Sequence, residues 1–255
     1  GDVTGSDTQG WSGYLEAHRR RRAFFRAAGA TATDHGHPSA DTADLSPDEA
    51  AALYALVAGG RADASHKILF RAQMLTEMAR MSVEDGMVMQ IHAGAHRNHS
   101  PSIHRLFGRD KGFDMPARAS YVDALKPMLD AVGLEPGLRV IVFTLDETAY
   151  ARELAPLAGA YPCLKLGPPW WFYDSVEGML RHRRATIETA GFYNTAGFND
   201  DTRALPSIPA RHDVARRVDC AFLSELVLSG RLREDEAAEL AEDLAVNLAR
   251  AAYRL

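Results

Sequence analysis

Short apolar runs alternate with longer amphipathic stretches along the 255-residue chain. The short runs are rich in apolar or β-branched residues and predict five buried β-strands, near 31–33, 88–91, 140–143, 163–166 and 195–198. The run from Val140 to Phe143 has no polar residue, which is typical of a parallel strand covered on both faces. Each predicted strand is followed by a polar cluster and then a helical pattern, so the chain predicts successive βα units.

Helical periodicity fills the intervals between these strands. Ser12 is predicted to cap a first helix that Gly29 stops, and Ser46 with Pro47 marks the start of another. Further helices are predicted over 66–82, 120–132, 147–158 and 175–190, with two more near the end of the chain. The stretch from 95 to 118 mixes polar residues, Gly and Pro, and predicts a long loop of the kind that is often functional.

Alternating strands and helices favour an α/β protein of the (β/α)8 TIM-barrel type, in which the active site lies at the carboxyl ends of the strands. The alternative fold is a doubly wound parallel sheet. The chain has neither a GxGxxG nor a GxxxxGK[ST] motif, so neither a dinucleotide fold nor a P-loop is supported. Five strands do not close a barrel. The prediction is therefore an incomplete barrel of about five βα units.

Composition and charge narrow the class of protein. The chain is 46% hydrophobic and 25% charged, which indicates a globular protein. A net charge of −5 and the lack of a nucleic-acid motif argue against a nucleic-acid partner, and no apolar run predicts a membrane helix. Two cysteines without CxxC spacing favour the cytoplasm. Residues 1–10 are interpreted as a linker and 11–255 as one barrel domain with a helical insertion at about 46–85.

The predicted strand ends carry the candidate chemistry. Carboxylates, an imidazole, guanidiniums and an indole would meet at one rim: Asp34, His92, Arg97, Trp170, Asp201 and Arg203. Such a set suits a small anionic polyol, because Arg clamps a carboxylate while Asp and His move protons or bind a metal. Each of these residues taken alone also fits a purely structural role. His92 would be a hydrogen-bonded interior residue, Trp170 a core residue, and Asp201 with Arg203 an ion pair in a turn.

Five segments carry a resemblance to a known family. They are TDHGHP at 33–38, MQIHAGAHRN at 89–98, LFGRDKGFD at 106–114, GPPWWFYDSVEGM at 167–179, and FNDDTR at 198–203 with RHDVARR at 211–217. In this order they resemble the uronate isomerase (glucuronate isomerase) family, a divergent branch of the metal-dependent amidohydrolase superfamily. The resemblance covers nearly the whole chain.

The resemblance implies an enzyme that interconverts D-glucuronate with D-fructuronate, and D-galacturonate with D-tagaturonate, by proton transfer through an enediol. It also implies a divalent metal, with zinc the expected ion, and a small uronate sugar as partner. A homo-oligomer is left open. The implied catalytic residues are Asp34, His92 and Asp201, the implied substrate contacts are Arg97, Trp170 and Arg203, and the implied metal ligand is Asp201.

The chain also departs from the family pattern. Family members are longer, and their first strand supplies a His-x-His pair, whereas His35-Gly36-His37 here matches a later segment. The interpretation is therefore a C-terminal portion holding strands four to eight, with an incomplete metal site and no activity on its own. Two alternatives stay open: a metal-dependent hydrolase of the same superfamily, and a catalytically silent fragment or binding module.

Overall fold

A four-stranded parallel sheet forms the centre of the computed structural model, which describes residues 1–202 and 204–255. The strands in chain order are β1 Ala32–Gly36, β2 Val88–Ala93, β3 Ala95–His96, β4 Met115–Pro116, β5 Val140–Thr144 and β6 Leu164–Leu166. The central sheet has the order β1-β2-β5-β6 and all its pairs are parallel. The α/β class and the parallel sheet are thus confirmed.

The prediction of a fifth strand near 195–198 is wrong. Within the described residues, this stretch adds only one parallel bridge, between Leu166 and Thr195. Gly197 explains why, because its φ of +68° breaks the extended backbone. A Cβ at this position would lie 2.9 Å from the Leu244 carbonyl oxygen, so close packing also keeps this turn in place.

Helices cover the strands, and their bounds agree broadly with the pattern. The α-helices are α1 Trp11–Ala27, α2 Pro47–Ala58, α3 Ala64–Asp85, α4 Pro101–Phe107, α5 Val122–Val132, α6 Ala155–Ala160, α7 Val176–Ala190, α8 Ile208–Leu228, α9 Glu234–Glu242 and α10 Leu248–Tyr253. π-Helical turns at Tyr150–Leu154 and Asp243–Asn247 precede α6 and α10, and 3-10 turns lie at Trp171–Tyr173 and Leu205–Ser207. None of the described helices is long and apolar enough to cross a bilayer.

Two local predictions need correction. Ser12 does not cap α1, because the helix begins at Trp11 and Gly10 is the cap residue. The predicted loop from 95 to 118 is partly structured, since it contains α4 and an antiparallel pair formed by β3 and β4. At the chain start, the Tyr54 hydroxyl donates a 2.6 Å hydrogen bond to the Thr8 carbonyl. The domain bounds drawn from the sequence stay a prediction.

The alternation of side chains along β2 and β5 separates two packed layers. Met89, Ile91 and Val142 point into a large cluster with residues of α3 and α5. Val88, Ile141 and Phe143 point the other way, into a cluster with Trp170. His92 follows Val88 by four residues and therefore lies on this second face. The period of two thus places the imidazole beside the indole.

Thr42 is inserted against helix α5 where Pro127 interrupts its hydrogen bonds. Proline lacks an N–H group, so a helix loses one backbone bond at this position. The Thr42 hydroxyl donates to the Ala124 carbonyl at 2.6 Å and accepts the Met128 N–H at 3.2 Å. Thr42 is buried, so these bonds satisfy backbone groups that water does not reach.

Replacing Thr42 by Val is expected to lower the free energy of unfolding by about 1–3 kcal/mol, because a buried backbone donor loses its partner at nearly unchanged side-chain volume. Urea denaturation of the two proteins measures the difference. Thr42→Ser, which keeps the hydroxyl, is the matched control and should retain most of the stability. Equal midpoints for Val and wild type would contradict this account of α5.

Candidate functional site

Asp34 and His92 form a hydrogen-bonded pair near the carboxyl ends of neighbouring strands. The parallel register places Gly36 of β1 opposite His92 of β2, so Asp34 lies on the same face two residues earlier. Asp34 Oδ1 lies 2.6 Å from His92 Nδ1. The next strand places Phe143 opposite His92, and the two rings stack with centroids 4.2 Å apart.

The pairing decides which nitrogen of His92 carries hydrogen. An ionised carboxylate only accepts hydrogen bonds, so Nδ1 of His92 is the donor in this pair. Burial raises the pKa of Asp34, but the hydrogen bond and charge of His92 outweigh it and bring the pKa below its usual value. Asp34 is therefore ionised at neutral pH.

The two side chains differ in their access to solvent. The Asp34 side chain is 57% exposed and that of His92 only 10%. His92 Nε2 is buried and has no hydrogen-bond partner among the described residues. Asp34 is therefore the member of the pair that a dissolved molecule can reach, and the buried His92 orients it through their hydrogen bond.

Trp170 connects this pair to Asp201. Its ring meets the His92 ring edge to face, with centroids 4.7 Å apart. Its Nε1 donates a 2.9 Å hydrogen bond to Asp201 Oδ2. Asp34, His92, Trp170 and Asp201 thus form one continuous series of contacts on one side of the sheet.

A cavity of about 470 Å³, called here the first cavity, lies against Trp170 and Asp201. Three of the predicted site residues line it, namely Arg97, Trp170 and Asp201. Asp34 and His92 do not belong to its lining and reach it only through their contact with Trp170. Arg203 lies outside the described residues. The structure therefore brings together five of the six predicted site residues, two of them outside the cavity.

Buried carboxylates hold the walls of the first cavity. Asp114 is 3% exposed, accepts the Asn98 N–H at 2.6 Å and pairs with an Arg97 Nη1 atom 3.3 Å away. Across the cavity, Arg211 pairs with both Asp174 and Asp200. Burial raises the pKa of Asp200.

Sequence reasoning missed these supporting residues. Asp114 and Asp174 lie inside segments that carried the family resemblance, and that was the only signal for them. Phe143 was interpreted as a core residue of a buried strand, and the sequence holds no sign that it stacks on His92. Its role follows from strand register, which a single strand cannot reveal.

The metal-binding side chains that the structure describes do not by themselves make a catalytic metal centre. Among residues 1–202 and 204–255, no three His, Cys, Asp or Glu side chains converge as metal ligands. Asp201, the predicted ligand, already accepts a hydrogen bond from Trp170. A catalytic zinc site typically has three protein ligands, so these residues do not fit one by themselves.

The first cavity has the residue types that bind a small anion, and an acid–base pair lies beside it, in contact with Trp170 of its wall. Arg97 keeps guanidinium N–H groups beyond the one that meets Asp114, and such groups match carboxylate oxygens. Trp170 and Trp171 supply an aromatic wall. Asp34 and His92 supply a linked carboxylate and imidazole, the group types that most often act as general acids and bases.

Known proteins resemble this chain over its whole length. A sequence model described as glucuronate isomerase matches residues 1–253. The uronate isomerase of Rhizobium meliloti is 71% identical over 255 residues, which are 100% of this chain and 54% of that protein. The chain therefore spans about half the length of the curated relatives it matches.

Solved structures agree with the sequence comparisons. The crystal structure of glucuronate isomerase from Caulobacter crescentus matches with a TM-score of 0.98 and 60% identity, over 99% of this chain and 53% of that one. The uronate isomerase structure from Thermotoga maritima matches with a TM-score of 0.93 and 27% identity, over 99% and 56%. The chain belongs to the glucuronate isomerase family.

Proposed function

We propose that this chain supplies the sugar-acid binding and proton-transferring part of a uronate isomerase. The reaction is the conversion of D-glucuronate to D-fructuronate, and of D-galacturonate to D-tagaturonate. The observation that carries the proposal is the Asp34–His92 pair, which Trp170 joins to Asp201 at the wall of the first cavity. The family match and the uronate isomerases among its relatives support it.

An aldose-ketose isomerisation needs a group that removes the C2 proton and a group that returns a proton to C1. Asp34 suits the first role because it is ionised, half-exposed and held at 2.6 Å by His92. The imidazole N–H at Nδ1 donates to Oδ1 of Asp34 and stabilises the carboxylate, and the other carboxylate oxygen takes up the proton. Asp34 then returns the proton to C1 from the same face of the enediol, while the hydroxyl proton on the C2 oxygen passes to the C1 oxygen, so that the C1 aldehyde becomes an alcohol and the C2 alcohol becomes a ketone.

The sugar acid brings a negative charge, and arginine is the residue suited to it. Arg97 lines the first cavity, and its planar guanidinium pairs with carboxylates through two parallel bonds. Trp170 provides an apolar surface for the C–H face of the sugar. Arg203 is predicted to share the carboxylate, and this role rests on the sequence resemblance alone.

The strand order of the sheet supports the proposal that this chain forms part of a (β/α)8 barrel. Its strands follow one another in chain order from β1 to β6, apart from the short β3–β4 pair, and the bridge at Thr195 continues the order. Successive parallel βα units in this order are how a barrel is built. We infer that the parallel units of this chain form part of such a barrel.

The superfamily is typically metal-dependent, and the proposal keeps a divalent ion in the intact enzyme, with Asp201 as this chain's ligand. Purified and dialysed, the 255-residue chain is expected to retain far less than one zinc ion per chain, because a single carboxylate falls short of three protein ligands. Elemental analysis measures this, with the Rhizobium meliloti enzyme purified alongside. A stoichiometric ion that resists a chelator would contradict the prediction.

A chimera tests the proposed function. The chain replaces the 255 matched residues of the Rhizobium meliloti uronate isomerase, to which it is 71% identical. The chimera is expected to convert glucuronate to fructuronate, while the isolated chain is inactive. Failure of a folded chimera to isomerise any uronate would refute the proposal. Hydrolysis of glucuronolactone without isomerisation would favour the hydrolase alternative.

A further inference from the structure

A second cavity, of about 680 Å³, adjoins the first and differs from it in charge. Arginine and histidine side chains dominate its polar lining: Arg71, Arg97, Arg109, His37 and His96. None of the described residues that line it is acidic, whereas three aspartates line the first cavity. The second cavity is therefore a concave surface with a single sign of charge.

Among the described residues, two of the three arginines of the second cavity lack the carboxylate partner that the third, Arg97, has in Asp114. Arg19, Arg22 and Arg183 each pair with a carboxylate at 2.6–2.7 Å. Among the described residues, Arg71 and Arg109 form no salt bridge, and both are exposed. Two guanidiniums therefore keep all their N–H donors free for a ligand.

The positive field of this cavity also acts on His37. Burial and the charge of Arg71 both lower the pKa of His37, so its ring is neutral at physiological pH. A neutral imidazole keeps one N–H donor. The cavity thus offers guanidinium forks and imidazole donors together, and a cleft lined by one sign of charge concentrates oppositely charged ions.

We propose that the second cavity is a binding site for a small oxyanion, a phosphate or a carboxylate, separate from the site of the isomerisation. Arg71 and Arg109 are the residues that bind it, since their forks match two oxygens of one ion. His37 and His96 donate from the same walls.

Arg97 couples this site to the proposed function. It lines both cavities, and its Nη2 lies 3.7 Å from the position of a Cβ on Gly36, so the guanidinium packs against the end of β1. An anion in the second cavity competes for the N–H groups that would otherwise meet a uronate. This step rests on the proposed function, and the expected effect is a higher KM for glucuronate in the chimera when phosphate is present.

Calorimetric titration of the 255-residue chain with inorganic phosphate, at constant ionic strength held with chloride, tests the site directly. Saturable binding of one phosphate is expected. Arg71→Gln and Arg109→Gln should each weaken it about tenfold or more. Arg105→Gln is the matched control, because Arg105 is also exposed and lies outside both cavities, and it should leave binding unchanged.

A second measurement covers the case in which a variant fails to fold. Phosphate should protect Arg71 and Arg109 of the unaltered chain from phenylglyoxal, while Arg105 stays reactive, as mass spectrometry of peptides can show. Titration with glucuronate shows which class of anion the site takes. Glucuronate binding that competes with phosphate and needs Arg71 identifies a carboxylate ligand. Binding of phosphate without binding of glucuronate identifies a phosphate ligand.

Absence of saturable phosphate and glucuronate binding, or equal binding by Arg71→Gln and the unaltered chain, would overturn the site. Neither result depends on activity, so the site can fail while the chimera isomerises, and the chimera can fail while the site binds phosphate.

Discussion

Asp34→Asn in the chimera is expected to lower kcat for glucuronate by about 100- to 10,000-fold, the range typical of losing a general acid or base. The amide has the size of the carboxyl group but cannot accept a proton from C2. It also removes the charge that keeps hydrogen on His92 Nδ1, 2.6 Å away. Steady-state kinetics on glucuronate measure the change. KM should change much less, because Asp34 is not part of the first cavity's lining.

Asp41→Asn is the matched control for this substitution. Asp41 is exposed and follows β1 by a few residues, and among the described residues it accepts a side-chain hydrogen bond only from Ser39. Its kcat should equal that of the unaltered chimera. If Asp34→Asn kept kcat within a few-fold, or lost it only through a raised KM, Asp34 would not be the proton-transferring group.

The positions of the strands followed from the chain's own pattern, whereas the pairing of side chains across strands did not. Val140 to Phe143 could be recognised as a buried parallel strand from four apolar residues in a row. That His92 would stack on Phe143 and bond Asp34 depends on the register of three strands. A shift of one residue would place His92 on the opposite face.

The lining of the first cavity could also be predicted only in part from the sequence, because packing decides which of the side chains face it. Arg97, Trp170 and Asp201 were predicted at one rim because parallel strands end at one edge of a sheet, and they do line one cavity. Asp34 and His92 were expected in the same lining but lie outside it. Trp170, 7% exposed and edge to face with His92, joins the pair to the cavity wall, and no sequence pattern encodes that arrangement.

His182 is expected to give the chain a strong sensitivity to acid. It lies on α7 with 1% exposure, its ring meets Tyr150 edge to face at 4.7 Å, and neither ring nitrogen has a hydrogen-bond partner among the described residues. Burial, with a further contribution from the charge of Arg183, lowers the pKa of His182 to about 3. The native protein therefore holds this ring neutral.

The sign of the pH effect follows from the two states. Unfolded, His182 takes up a proton at a pKa of about 6.5, but the native state resists it until about 3. Stability is complete above about pH 6.5 and falls with pH down to about 3, since the unfolded chain binds more protons there. At about pH 4.5, two pH units below the unfolded value, the loss from His182 alone is about 2–3 kcal/mol.

His182→Leu should remove this part of the pH dependence. Urea denaturation at about pH 7 and about pH 4.5 gives the free energy of unfolding of both proteins, and the acid-induced loss should be smaller in the variant by about 2–3 kcal/mol. His35, whose pKa burial lowers to about 4, acts in the same range, so His35→Leu serves as the comparison. Because His35 lies on β1 and His182 on α7, the double variant should add their effects. An unchanged pH dependence in His182→Leu would show that the ring is protonated, or solvated, in the folded protein.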